Sequence, residues 1–190
     1  MKNDQQEAFE RVLVTSLARV VDFLKFAEAK NAALLTFASA WIIGSINLLN
    51  GSNKLSDDWR AGFTVALPIL SVAALLSLFS FLPRTLLGRF HKDPEQKKAL
   101  LYFGDAATFS PAAYKDRVWD RYNPPDNESA TRSYLDDLAV QIAVNSQITT
   151  RKLRIFNAAA FLIVMAMLAI LAPGIKALAL IIAPLLGVSP

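Results

Sequence analysis

The chain has 190 residues, 54% hydrophobic and 19% charged, with mean hydropathy +0.34 and a formal net charge of +4. That apolar share exceeds the roughly 45–50% typical of soluble domains. There is no cysteine, which excludes a disulfide scaffold, a Cys-ligated zinc site and a cysteine nucleophile, and the charge is too small and scattered to make nucleic acid the main partner.

The apolar residues come in blocks at 32–49, 61–83 and 155–188. Blocks of this length point to membrane spans rather than one soluble core. The first thirty residues contain Asp4, Glu7, Glu10, Asp22 and Glu28 and lack the early apolar run of a signal peptide. Instead, 4–30 reads as an amphipathic helix. Phe9, Val12, Leu13, Leu17, Val20, Val21, Leu24 and Ala27 recur three and four apart, with Glu7, Glu10, Arg11, Arg19, Asp22 and Lys25 on the other face. No Pro or Gly intervenes before Trp41. The helix is therefore expected to continue into a first span at 31–49, giving a rod of about 65–70 Å at 1.5 Å per residue.

Asn50-Gly51-Ser52-Asn53 is a turn cluster. The second span is 61–83, where Pro68 predicts a kink or a neighbour that re-satisfies the freed carbonyl. Trp41, Trp59, Arg60 and Arg84 suit span ends, where aromatic and cationic side chains anchor at headgroups. Ala40 with Gly44, and Ala73 with Ser77, are small pairs four apart that permit close helix approach.

Residues 84–154 form a helical insert. Gly88 and Pro94 mark breaks, and 97–103 is a candidate short helix. Ser110-Pro111 predicts a helix start, with Ser as N-cap and Pro in the first turn, ending near Trp119 or Arg121. After the loop Asn123-Pro124-Pro125-Asp126-Asn127, Ser133 or Thr131 is the candidate cap of a second long helix. Leu135, Leu138, Ala139, Ile142, Ile148 and Leu153 line one side of it as it leads into the third span, 155–172. Pro173-Gly174 is expected to end that span. The apolar tail 174–188 is short for a span; a fourth span and a helix lying against the bundle are both compatible with it.

Lysine and arginine number five in 1–30, two in 50–60, twelve in 84–154 and one in the tail. The positive-inside rule puts the N-terminus and the insert in the cytoplasm. The expected fold is an all-α integral membrane protein with three or four transmembrane segments, long cytoplasmic helical extensions and a small helical cytoplasmic insert.

Catalytic constellations are nearly absent. The single histidine, His91, lies beside Arg89 and Lys92 at a membrane edge and reads as an interfacial side chain. No nucleotide-binding glycine loop, HExxH or GxSxG pattern occurs. No catalytic or metal residue is assigned, and an enzyme is not expected. The spans hold almost no ionisable residue, which argues against an intramembrane proton or ion relay.

The segment 101–122 carries Tyr102, Phe103, Phe109, Tyr114, Trp119 and Tyr122 with Lys115, Arg117 and Arg121 among them. Aromatic faces can stack on a nucleobase and arginines can pair with a phosphate; equally, these rings can form the small core of the insert. Glu28 and Lys30 sit where the first helix enters the membrane, and Lys152 and Arg154 at the matching level of the last long helix. Gln141, Asn145 and Ser146 are polar positions close to that helix's packing side. They read either as a solvated face with headgroup anchors or as a cluster that binds an anion or holds the helices through a Glu28–lysine pair.

Three stretches resemble the membrane effectors of bacterial Pycsar antiphage systems. They are Phe26-Ala-Glu-Ala-Lys30 before an apolar span, Tyr102-Phe-Gly-Asp105 with Ser110-Pro111 and Tyr114, and Asp137-Leu-Ala-Val-Gln-Ile142 with Asn145-Ser146 and Lys152 before the last span. The related two-span SLATT-type effectors share the plan. The resemblance implies a partner cyclase that makes a cyclic pyrimidine mononucleotide, cyclic CMP or cyclic UMP, on infection. The chain would bind it on the cytoplasmic side of the inner membrane and impair that membrane as a homo-oligomer, arresting growth before phage spread. The candidate ligand contacts are Glu28, Lys30, Tyr102, Phe103, Tyr114, Arg117, Arg121, Gln141, Asn145 and Lys152. The competing expectation is a constitutive channel, holin-like pore or membrane scaffold with no nucleotide ligand.

Overall fold

The computed structural model describes residues 4–51, 55–82, 100–126 and 128–185, with the side chains of 184 and 185 excepted. The described residues form five helices: α1 (Asp4–Asn50), α2 (Asp57–Ser80), α3 (Phe103–Ala106), α4 (Pro111–Tyr122) and α5 (Arg132–Leu185). Three of them, α1, α2 and α5, are long and apolar enough to cross a bilayer. The chain divides into two compact units, Met1–Ala27 with Pro83–Arg151, and Glu28–Leu82 with Lys152–Pro190. Gly88, His91, Pro94 and the start of the helix expected at Lys97 lie outside the described residues, as do Arg84, most of the turn after Gly51 and the end of the tail.

The second unit is a three-helix bundle. Its core is Ala38 of α1, Phe63, Ala66, Leu70 and Ala73 of α2, and Ala159, Ile163, Ala166 and Ile170 of α5. The α2 and α5 positions recur at three and four, and buried Asn31, Ala38 and Ser45 of α1 recur at seven, the spacing that keeps one seam facing a partner helix. Lipid tails are as apolar as leucine, so burial of oily surface does not drive helices together in a bilayer; close packing of small residues does. Accordingly the seam is rich in alanine and serine, while Ile43, Leu75, Phe79, Phe161 and Leu168 are exposed on the outside. Of the two small pairs, Ala73 and Ser77 are fully buried, whereas Ala40 is exposed and Gly44 faces open space.

α2 and α5 run antiparallel. Ser80 lies at Lys152, Gly62 at Ala169 and Ile170, Trp59 at Gly174, and Asp58 at Lys176. Five hydroxyls of the bundle are satisfied on their own helix: Thr36, Ser45, Thr64, Ser71 and Ser77 each donate to the carbonyl four residues back, at 2.6–3.0 Å. Trp59 occupies a span end, as its residue type suggests. Trp41 does not. It lies about 15 Å beyond Asn31 at 1.5 Å per residue, packed against the bundle core because it falls on the inward seam of α1.

Pro173-Gly174 does not end the helix that carries the third span. α5 continues through it to Leu185, so the described part of the tail belongs to the same helix. Proline has no N–H for the carbonyl of Ala169, and α2 approaches that carbonyl closely. A Cβ built on Gly62 would lie 2.7 Å from it. The Gly62 Cα therefore sits beside a carbonyl that lacks a helical donor, a weak C–H···O contact, and the neighbouring helix makes the proline tolerable.

This contact gives a paired test. Gly62→Ala forces backbone from backbone and is expected to destabilise the bundle by about 1–3 kcal/mol. Gly44→Ala meets nothing and is expected to be neutral or stabilising by up to ~1 kcal/mol. Thermal unfolding of the two variants in detergent, followed by helical circular dichroism, compares them.

Candidate functional site

In the first unit, local sequence fixes α4 and the start of α5. Ser110 caps α4, accepting from the Ala113 amide at 3.3 Å, and Pro111 follows in the first turn, where no N–H is required. Thr131 caps α5, accepting from the Tyr134 amide at 3.2 Å, and its hydroxyl donates to the Arg121 carbonyl at 3.1 Å. One threonine thus starts α5 and holds the last turn of α4. The described short helix is α3, later than the expected 97–103, and α4 runs one residue past Arg121.

The strongest polar contact of this unit lies at that junction. Arg121 donates from Nε and Nη2 to the two oxygens of Asp137, both at 2.9 Å, a bidentate pair. The Tyr122 hydroxyl donates to the same carboxylate, and the Tyr122 ring meets Tyr134 edge-on at 5.8 Å. Asp137 is buried. Burial, followed by the hydrogen bond and charge of Asp137, pushes the Tyr122 phenol well above its ordinary value. The hydrogen bond it donates to Asp137 raises the Arg121 guanidinium further, so it stays charged at all working pH. With both oxygens committed, Asp137 is a clamp rather than an acid–base group.

Nearby, Tyr102 packs with Val140, Val144 and Ile148 of α5, and burial, with the charge of Asp105, raises its phenol. Phe103 lies 4.8 Å from it, centroid to centroid, yet is 69% exposed. Tyr114 donates to the Leu100 carbonyl at 2.9 Å, and the Arg117 guanidinium stands 5.8 Å over the Phe109 ring. Trp119 is 66% exposed. It borders an open groove of ≈ 700 Å³ along α4, with Tyr114, Val118, Tyr122 and Pro124. Two carboxylates, Asp116 and Asp120, and one ammonium, Lys115, also line the groove. Its floor suits a ring with polar edges better than a bare anion. Gln141 and Asn145 stand half-buried, one turn apart on α5.

In the second unit, Lys152 is 14% exposed at its side chain and bonds Glu28 at 3.0 Å and the Ser80 carbonyl at 2.9 Å. Asn31, fully buried, donates to the Lys152 carbonyl at 3.4 Å. The Lys30 ammonium lies 5.2 Å over the Phe156 ring. The ten candidate residues therefore fall into two sets. Tyr102, Phe103, Tyr114, Arg117, Arg121, Gln141 and Asn145 belong to the first unit, and Glu28, Lys30 and Lys152 to the second. Sequence reasoning paired Glu28 with a lysine but missed the partners of Arg121. The available signal was Asp137 on the apolar side of its helix beside Leu138, with the adjacent Asp136 exposed. Among the described residues, no group of acidic or histidine side chains is placed to hold a metal.

The sequence model of the Pycsar effector protein domain, PycTM, matches residues 12–183. The Pycsar effector protein RsPycTM of a Rhizobium species is 43% identical over 157 residues, covering 83% of this chain and 89% of the relative. No solved structure matches the chain.

The clamp at Asp137 has two measurable consequences. Asp137→Ala leaves a half-buried guanidinium and the Tyr122 hydroxyl without their partner and is expected to cost about 1–3 kcal/mol of stability, read as loss of α4 protection in amide hydrogen exchange. A phenol whose pKa is raised by folding contributes stability in full below the unfolded value, near 10. That contribution is lost as pH rises from there through the folded value. Unfolding midpoints of the parent protein should stay level up to about pH 9 and fall above about pH 10, less steeply for Tyr122→Phe.

Proposed function

We propose that this chain, which belongs to the PycTM family of Pycsar effectors, is switched on by a cyclic pyrimidine mononucleotide, cyclic CMP or cyclic UMP, and then impairs the membrane it spans. Family membership carries the coarser statement. The chain is a multi-span membrane effector of antiphage defence that answers a cyclic-nucleotide signal from a cyclase, and it is not an enzyme. The observation that carries the reading is the family match, which extends across both units.

The finer steps rest on chemistry. A pyrimidine offers a flat ring with donors and acceptors at its edge, and a cyclic phosphate adds one negative charge. Exposed Phe103 beside Tyr102, the Tyr114 and Trp119 rings along α4, and the amides of Gln141 and Asn145 suit the base. Arg117 suits the phosphate, since Arg121 is committed to Asp137. In the second unit, Glu28, Lys30 and Lys152 hold the near end of the spans in the resting arrangement. The excess of lysine and arginine in 1–30 and 84–154 supports a cytoplasmic position for the first unit, on the side where a cyclase product accumulates. One copy offers three spanning helices, too few to wall a pore, so the working form is a homo-oligomer in the inner membrane. Moving such a switch from 1:99 to 99:1 requires a ligand that favours the active arrangement by about 5.5 kcal/mol.

Dye leakage from liposomes carrying the purified protein tests this, with cyclic CMP, UMP, AMP and GMP added separately. One pyrimidine nucleotide should trigger leakage and the purines should not. Arg117→Ala should raise the nucleotide concentration needed by about tenfold or more, the loss of one charge-assisted hydrogen bond of ~1.5–3 kcal/mol. Equal leakage with every nucleotide and with none would favour a constitutive pore.

A further inference from the structure

The two ends of the bundle carry charge. At one end are Glu28 and Lys152; at the other, Asp57 and Asp58 in the first turn of α2, with Lys176 on Asp58 at 3.1 Å. Lys152 and Lys176 lie about 36 Å apart along α5 at 1.5 Å per residue. The hydrocarbon of a bilayer is about 30 Å thick, so these two charged levels bracket it.

α5 does not stop at the second level. It continues from Ala177 to Leu185, about 14 Å further. Every residue from Ile175 to Ile182 is exposed, Ile181 at 65%, and none beyond Lys176 in the helix is polar. Leu180, Ile181 and Ile182 point in different directions at about 100° per residue, so the apolar surface extends well beyond a single stripe. A helix facing water needs a polar side, and a helix with one partner needs only a stripe of about 100°. This segment has neither pattern and must be covered on most of its circumference.

A bilayer whose hydrocarbon lies between the two charged levels ends its lipid tails near Asp58 and Lys176. α1 has ended at Asn50 and α2 begins only at Asp57, so neither accompanies the segment. Tilting the bundle to sink it would carry the Asp58–Lys176 pair into hydrocarbon. The surface that lies at the same height, in the same orientation and with the same composition is the same segment of neighbouring copies.

We infer that 177–185 is a self-association element, where parallel copies of α5 bundle beyond the far face of the membrane. The inference deepens the proposed function and rests on its homo-oligomer, for which it names the contact. Self-association also explains why an apolar helix can extend past the bilayer without exposing its side chains to water.

The absence of cysteine in the chain makes the test clean. Leu178→Cys, Leu180→Cys and Ile181→Cys are introduced singly into the full-length protein in liposomes and oxidised with copper phenanthroline. A control, Phe161→Cys, lies on the lipid-facing side of α5 between the two charged levels. Disulfide-linked dimers are expected for at least one tail position and not for the control. Converting Leu178 and Ile181 together to Gln should abolish the oligomer seen by mass photometry. Cyclic-nucleotide binding to the same variant should be unchanged, which separates lost association from misfolding. An oligomer that persists without tail cross-links overturns the tail contact alone. A tail cysteine labelled with bimane and quenched by brominated lipid, again without cross-links, overturns it in favour of a lipid cover. A parent protein that is monomeric throughout overturns both the contact and the homo-oligomer reading.

Discussion

The bundle depends on one ammonium group. Lys152 is largely withdrawn from solvent, and removing a charge from water costs several kcal/mol unless partners compensate. It finds two, on different helices. Glu28 of α1 supplies the countercharge, and the Ser80 carbonyl at the end of α2 supplies an acceptor. That carbonyl belongs to the last turn of α2, where the helix dipole presents its negative end, so the lysine caps α2 while pairing with α1. Because α5 carries the lysine, all three helices are indexed to one atom. The register that follows, Gly62 at Ala169 and Asp58 at Lys176, is set from there.

The first unit uses the same device with a different cation. Arg121 and Tyr122, at the end of α4, converge on the carboxylate of Asp137, one turn into α5. Thr131 joins the same two helices through a hydroxyl and a cap. A short helix such as α4 is marginal alone in water and has no buried residue of its own. Its position is therefore held by polar contacts, at its C-terminal end and through Tyr114 near its start. The exposed rings of Phe103 and Trp119 are thus carried on elements with fixed geometry rather than on a collapsed core.

Much of this was legible in the sequence. The three apolar blocks, the Ser110-Pro111 start and the Thr131 cap are local signals, decided by composition and by hydrogen bonds within one turn. The Glu28–lysine pair was legible because like levels on two membrane-entering helices can be matched by counting. What was not legible depends on a partner helix. Pro173-Gly174 reads as a stop in isolation, whereas in the bundle the helix continues with Gly62 against the freed carbonyl and Trp59 against Gly174. Trp41 resembles an interfacial anchor until the seam of α1 is known. Arg121 looked like a phosphate ligand because its residue type and aromatic neighbours allow that role, and only the packing of α4 against α5 reveals Asp137 as its partner.

The hydroxyls of the bundle have a consequence for how the protein is made. Thr36, Ser45, Thr64, Ser71 and Ser77 all bond within their own helices, so these five hydroxyls need no neighbouring helix when a segment enters lipid. Asn31 and Lys152 are different, since the contacts described for them reach across helices. Insertion and assembly are therefore separable stages of biogenesis. The polar junction of Asn31 and Lys152, by contrast, is complete only when all three helices are in place.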